Sequence, residues 1–219
     1  VIAAMLLSNL HKIAITVRRW LGMVGILSLY HPLSVFADGM FTDMAAPYES
    51  CGYCHEYDGN PSMGNYPKVA GQKKAYIIKQ MLDYRSGRRD GRGMMGAAAS
   101  LLSDQDLQTV AEFFAKQKPT LDKATVKDST FAHARDLWLH GAKDRMINAC
   151  VLCHTSSDEP EIPYLRGQHA EYLEDQLRAF KNKTRTNDEV GIMQFFAERL
   201  SNEEITQLSQ FIAAGAGQP

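Results

Sequence analysis

Cysteine is scarce in this chain, with four in 219 residues. That is too few to staple a chain of this length, which excludes a disulfide scaffold. An excess of charge of one sign is also missing. Lys and Arg number 24 against 25 Asp and Glu, so there is no basic footprint for a nucleic acid. Strand-like alternation is nearly absent, which argues for an all-α fold and against the βαβ setting of a dithiol oxidoreductase. Apolar residues make up an ordinary 45%, and the length suits one or two domains. The information lies in where the few cysteines fall.

Residues 1–37 lack Asp and Glu altogether, while Lys12, Arg18 and Arg19 form a positive stretch. Residues 20–30 are apolar, and Val35-Phe36-Ala37 offers small residues at the two positions a signal peptidase reads. This is the order of a secretory signal peptide, which predicts export to the periplasm and a mature chain starting near Asp38. An uncleaved membrane anchor is the alternative. The apolar run is shorter than the ~20 residues a spanning helix needs, and His31-Pro32 interrupts its continuation. Peripheral association with a membrane stays open.

All four cysteines sit in two copies of one pattern, Cys51-Gly52-Tyr53-Cys54-His55 and Cys150-Val151-Leu152-Cys153-His154. C-x-x-C-H is the attachment signal for c-type haem. Two thiols three positions apart on a helical turn can add to the two vinyl groups of one haem. The following His is then held under the iron as an axial ligand. A C-x-x-C pair alone could also be a redox dithiol or half of a zinc site. With seven His in the chain, a His after both pairs by accident is about a one-in-a-thousand event. Zinc would further require the two pairs to converge across a long intervening chain. The expected cofactors are therefore two covalently bound haem c groups with their iron.

The two halves match well beyond the cysteines. Pro67, Gly71, Gln72, Tyr76 and Gln80 correspond to Pro163, Gly167, Gln168, Tyr172 and Gln176 at an offset of 96. Met95, Leu102, Ser103, Leu107, Val110 and Phe113 correspond to Met193, Leu200, Ser201, Ile205, Leu208 and Phe211 at an offset of 98. A steady offset with a small slip marks an internal duplication. We expect a signal peptide over 1–37 and two tandem domains over 38–120 and 121–219, joined by a charged linker within 116–128. Helices are expected after Gly71-Gln72 and Gly167-Gln168. Further helices should start at Ser103 and Ser201, whose partners Asp106 and Glu204 stand three residues on as in a capping box. Their apolar stripes read as core. So small a domain has a thin core of its own, and a haem would supply much of the missing apolar surface.

With these residues in view, the chain resembles the cytochrome c4 family over about residues 48–215. The resemblance rests on both C-x-x-C-H sites and on Tyr66-Pro67-Lys68-Val69-Ala70-Gly71-Gln72 and Ile162-Pro163-Tyr164-Leu165-Arg166-Gly167-Gln168. The Met95 and Met193 segments and the Leu-Ser helix starts complete it. It implies two cytochrome c folds related by a pseudo-twofold axis, with His and Met on each iron. One departure stands out. The family places a helix before its first haem motif, but here only residues 38–50 are available and Pro47 interrupts them. The second domain has a fuller version over 130–140.

Ten Met make a lone Met weak evidence, so position decides. Met95 and Met193 each stand eight residues before a Ser cap, which nominates them as sixth ligands beside His55 and His154. Met94 competes with Met95 by adjacency. His133, His140 and His169 are the bis-His alternatives, and they read more simply as surface or core histidines. Arg85, Arg88, Arg89 and Arg92, then Lys181, Lys183 and Arg185, gather before each Met. They could pair with haem propionates, dock an acidic partner or line a solvated loop.

The leading expectation is a one-electron carrier with no catalytic residues. Its partners would be redox proteins such as a quinol-oxidising complex, a terminal oxidase or a dehydrogenase. The alternative is the cytochrome subunit of a dehydrogenase complex such as flavocytochrome sulfide dehydrogenase. A dihaem peroxidase would need one open iron, and the two Met at matched positions argue against it.

Overall fold

The structure, a computed structural model, describes residues 46–90, 93–121, 131–155 and 159–215. The expected signal peptide and the part of the expected linker over 122–130 lie outside the described residues. The described residues form one compact, helical unit whose single β feature is an isolated bridge between Ala142 and Ile147. No helix among them is long and apolar enough to cross a membrane.

The same helix order occurs twice. In the first half α1 is Gly52–His55, α2 is Lys74–Arg85, α3 is Met94–Ser100 and α4 is Asp104–Ala115. In the second half a leading helix α5, Ala132–His140, precedes α6, Val151–His154. Then come α7, Ala170–Lys181, α8, Ile192–Arg199, and α9, Asn202–Ala213. Both long C-terminal helices start as their sequence dictates. Ser103 Oγ accepts the Asp106 N–H at 3.1 Å while Asp106 accepts the Ser103 N–H at 2.9 Å. Ser201 and Glu204 repeat this at 3.1 and 2.7 Å. Each cap contributes about 1 kcal/mol.

Each half has its own apolar cluster. Ile77, Met81, Ala99, Leu107, Val110, Ala111 and Phe114 form the first. The second is larger because Phe131, at the head of α5, and Ala134, Leu137 and Trp138 on it join Leu173, Ile205, Leu208, Phe211 and Ile212. Where the first half has no leading helix among the described residues, Tyr48 does its work. Its ring stacks on Phe113 at 3.8 Å and 2°, whereas Phe131 meets the matching Phe211 edge-on at 6.1 Å.

Gly71 and Gly167 show why the repeat needs glycine there. Both have positive φ, +65° and +74°, and their N–H groups bond to the carbonyls of Phe114 (2.9 Å) and Ile212 (3.1 Å). A Cβ on Gly71 would meet Pro119 Cδ at 2.8 Å, and one on Gly167 would run into Leu121. Residues 116–121, expected as linker, are therefore stitched to both halves. Asn60 accepts the Thr120 N–H at 2.8 Å, and Lys68 Nζ donates to the Thr120 carbonyl at 3.2 Å.

The halves are joined by reciprocal contacts. Gln168 brackets the Lys68 backbone, accepting its N–H and donating to its carbonyl, both at 2.8 Å. Gln72 does the same to Tyr164 at 3.0 and 2.9 Å. Gln72 matches Gln168 and Lys68 matches Tyr164 in the repeat. Residue i of one half thus meets j of the other while j meets i, the signature of a twofold interface, here inside one chain.

Candidate functional site

Each C-x-x-C-H motif forms a single helical turn, with the His N–H bonded back to the first Cys carbonyl at 2.9 Å in α1 and 3.0 Å in α6. His55 Nδ1 lies 2.9 Å from the Pro67 carbonyl, and His154 Nδ1 lies 3.0 Å from that of Pro163. A carbonyl only accepts, so Nδ1 must carry the hydrogen in both rings. The lone pair is then on Nε2, the tautomer an axial iron ligand needs. Burial pushes both imidazole pKa values below their ordinary range, which keeps the rings neutral. The first cysteine of each pair is half-buried. Burial raises the Cys51 thiol and pushes Cys150 up to about 11. Pro67 and Pro163 were legible only as repeat landmarks, yet their carbonyls orient the ligands.

The second half contains a cavity of about 400 Å³. Cys150, Cys153 and His154 line it, as do Met193 and Phe196. Leu137, Trp138, Leu173, Leu177, Phe180 and Leu208 supply apolar walls. Folded cores rarely hold voids much larger than a water, whose share of liquid is about 30 Å³. An apolar cavity of this size has room for a large planar cofactor. Asp188 fixes Met193, accepting its N–H at 2.7 Å and that of Gln194 at 3.2 Å, which anchors the start of α8.

In the first half Met95 and Cys51 both pack on the same core cluster, and His55 is buried. Met94, by contrast, is 57% exposed. The three other histidines among the described residues have different employment. His133 bonds to Glu204 at 2.9 Å, His169 Nε2 donates to the Pro61 carbonyl at 2.7 Å, and His140 is exposed at the end of α5. None of them lines the cavity. Among the described residues no three His, Cys, Asp or Glu side chains converge as a metal cluster, so the cysteine pairs do not assemble a zinc site.

The basic residues before each Met divide by role. Arg85 donates to the Ala99 and Leu102 carbonyls and to Asp104, and its counterpart Lys181 donates to the Glu198 and Leu200 carbonyls. These two close the Met helices. Lys183 pairs with Glu198 and Arg88 with Asp83. Arg92 lies outside the described residues.

Arg89 and Arg185 do something else. They are 5% and 8% exposed and sit between the halves. Arg89 donates to Gln80, to Tyr172 (2.7 Å) and to Gln176 (2.9 Å). Arg185 donates to Gln176 (2.8 Å), Gln80 (3.2 Å), Asn187 (2.9 Å) and the Tyr76 hydroxyl (3.5 Å). Every hydrogen-bond acceptor among these described residues is neutral. Arg185 lines the apolar cavity, Arg89 bonds to its lining residues Gln80, Tyr172 and Gln176, and two buried guanidiniums with neutral acceptors suit an anionic ligand. A haem, apolar over its face and carrying propionates at one edge, matches both features, so the residues present fit the group. Arg89 and Arg185 also stand 96 apart. That repeat spacing was the signal that could have separated them from the surrounding basic cluster.

Comparison with known proteins completes the picture. The family model described as Cytochrome c matches residues 141–215. A cytochrome c4 of Pseudomonas aeruginosa is 36% identical over 208 residues, covering 93% of this chain and 98% of that protein. A thiosulfate dehydrogenase electron acceptor of Thiomonas intermedia is 33% identical over 178 residues, covering 78% of this chain and 81% of the relative. The crystal structure of reduced recombinant cytochrome c4 from Pseudomonas stutzeri superposes with a TM-score of 0.68 at 37% identity. It covers 76% of this chain and 93% of that one.

Proposed function

This chain belongs to the cytochrome c4 family, and from that premise we propose how its residues carry out electron transfer. A member of this family is a dihaem c-type cytochrome that carries electrons. Cys51 and Cys54 would hold the first haem through their thiols, with His55 and Met95 offered to its iron. Cys150 and Cys153 would hold the second, with His154 and Met193 offered to its iron. The domains run over 38–120 and 121–219. When bound, each haem would supply an iron that takes up or gives up one electron at a time. The protein's part is to fix the ligands, keep water out and neutralise the propionates. Pro67 and Pro163 hold the imidazole tautomers, Asp188 holds the Met193 backbone, and Arg89 and Arg185 offer charge at the interface.

The gathering of Cys150, Cys153, His154 and Met193 around one apolar cavity carries this reading. Mass spectrometry of protein made with the c-type maturation machinery tests it. The chain should carry two haems that acid-acetone does not extract, and the ferric protein should show the Met–iron charge-transfer band. One haem, or zinc in place of haem, would overturn the assignment.

Residues 1–37 direct export to the periplasm and are then removed. N-terminal sequencing of the periplasmic protein should begin near Asp38, whereas an intact N-terminus in membranes would show an anchor. A dehydrogenase is the favoured electron donor, because one relative of similar length is named for accepting electrons from thiosulfate dehydrogenase.

A further inference from the structure

We propose that Lys79, a first-half residue, raises the reduction potential of the second haem, and that Asp83 is the positioning residue that holds it there. This rests on the reading of Cys150, Cys153, His154 and Met193 as the second haem's site.

The second cavity is not walled by its own half alone. Tyr76, Lys79 and Gln80 of α2 line it as well. Lys79 is fixed from two sides, donating to Asp83 at 2.7 Å and to the Asn187 carbonyl at 2.8 Å. Asn187 itself lines the cavity, and its side chain donates to Asp83 at 2.7 Å. Arg88 closes the cluster on the other carboxylate oxygen at 2.7 Å. The Asp83 side chain is 1% exposed and that of Lys79 is 21% exposed. Burial favours the neutral acid at Asp83. The hydrogen bonds from Lys79 and Asn187 and the charges of Lys79 and Arg88 outweigh that and hold the carboxyl below its ordinary range. The cluster is therefore charged at neutral pH.

The repeat makes this cluster informative, because its counterpart has different chemistry. At the offset of 96, Lys79, Asp83 and Arg88 become Asp175, Ala179 and Thr184. The first-half trio sums to one positive charge and the second-half trio to one negative charge. Around it the interface keeps its twofold pairing, Gln72 with Gln168, Tyr76 with Tyr172 and Arg89 with Arg185. Symmetry is thus broken in charge at a place where it is preserved in shape. A cation facing the second haem stabilises its reduced form, which carries one positive charge fewer. A unit charge at a partly buried site shifts such an equilibrium severalfold to about tenfold.

The test is a spectroelectrochemical titration of the holoprotein, with each haem followed by the NMR signal of its own axial Met methyl. Lys79→Gln should lower the potential of the second haem more than that of the first. The distribution of a single electron between the two should then move severalfold toward the first haem. Asp83→Asn removes the negative partner and should shift the second haem the opposite way. Structural loosening alone would move both variants in the same direction, so opposite signs are the deciding result. Equal shifts at both haems, or no shift in Lys79→Gln, would overturn the proposal. Lys79 is part-exposed, so that variant folds even if Asp83→Asn does not. A wild-type protein lacking the second covalent haem would instead overturn the reading of the site.

Discussion

Glu204→Gln should cost the folded protein about 2–3 kcal/mol at neutral pH, and the loss should disappear in acid. Glu204 is 9% exposed and accepts four hydrogen bonds. Arg145 grips both oxygens at 2.9 and 2.8 Å, the Ser201 N–H reaches one at 2.7 Å, and His133 reaches the other at 2.9 Å. The Arg145 hydrogen bonds, opposed by burial and helped by Ser201 and His133, hold the carboxyl down from an ordinary 4.5 to about 2. A carboxyl depressed that far stabilises the fold by about 3 kcal/mol once it is ionised in both states. That stability is fully present above pH 4.5 and is lost as pH falls through about 2. Gln keeps the capping acceptor for Ser201 but turns one donor toward the guanidinium, so the cap survives and the charge pairing does not. Urea unfolding of both holoproteins, followed by far-ultraviolet circular dichroism from pH 7 to pH 3, measures the difference. It should shrink steadily below pH 4.5. A difference that is independent of pH, or below about 0.5 kcal/mol at pH 7, would refute the assignment of this stability to the ionised pair.

Three further outcomes are expected. Met95→Ala should abolish the Met–iron band of one haem and admit carbon monoxide to that iron, while Met94→Ala, at a residue 57% exposed, should leave both haems six-coordinate. Gln168→Ala orphans the buried N–H and carbonyl of Lys68 and should cost about 2–3 kcal/mol in urea unfolding. Its less buried counterpart Gln72→Ala, whose bonds to Tyr164 are open to solvent, should cost less than about 1 kcal/mol. Gly71→Ala forces a Cβ onto Pro119 at positive φ and should destabilise by about 1–3 kcal/mol.

Much of the helical frame was legible because its signals are local. Ser103-Asp106 and Ser201-Glu204 announce capping boxes within four residues, and the apolar stripes that follow bury as their spacing dictates. The haem motifs were legible for the same reason. The interface was not. Tyr76, Gln80, Tyr172 and Gln176 read in the sequence only as matched repeat positions. They instead accept bonds from Arg89 and Arg185 between the halves. Such partners lie far apart in sequence, and only the matched spacing links them. The same limit hid Pro67 and Pro163, whose contribution is a backbone carbonyl and leaves no side-chain signature.

The differences between the halves follow one physical logic. The second half buries more apolar surface of its own, because α5 lays Phe131, Ala134, Leu137 and Trp138 on its core. It also ties that helix down through His133, Glu204 and Arg145. The described part of the first half has Tyr48 on Phe113 in place of those four residues, and Asp106, where Glu204 would be, is an exposed cap. A half with so thin a core draws more of its stability from what it touches, namely its haem and the opposite half. The stitching supports this. Lys68 is bracketed by Gln168, Pro61 is held by His169, and Lys73 reaches the Glu159 carbonyl at 2.9 Å. The interface that walls part of the second half's cavity with Tyr76, Lys79 and Gln80 therefore also helps to keep the first half folded. A weakened interface should loosen the first haem's surroundings before the second's.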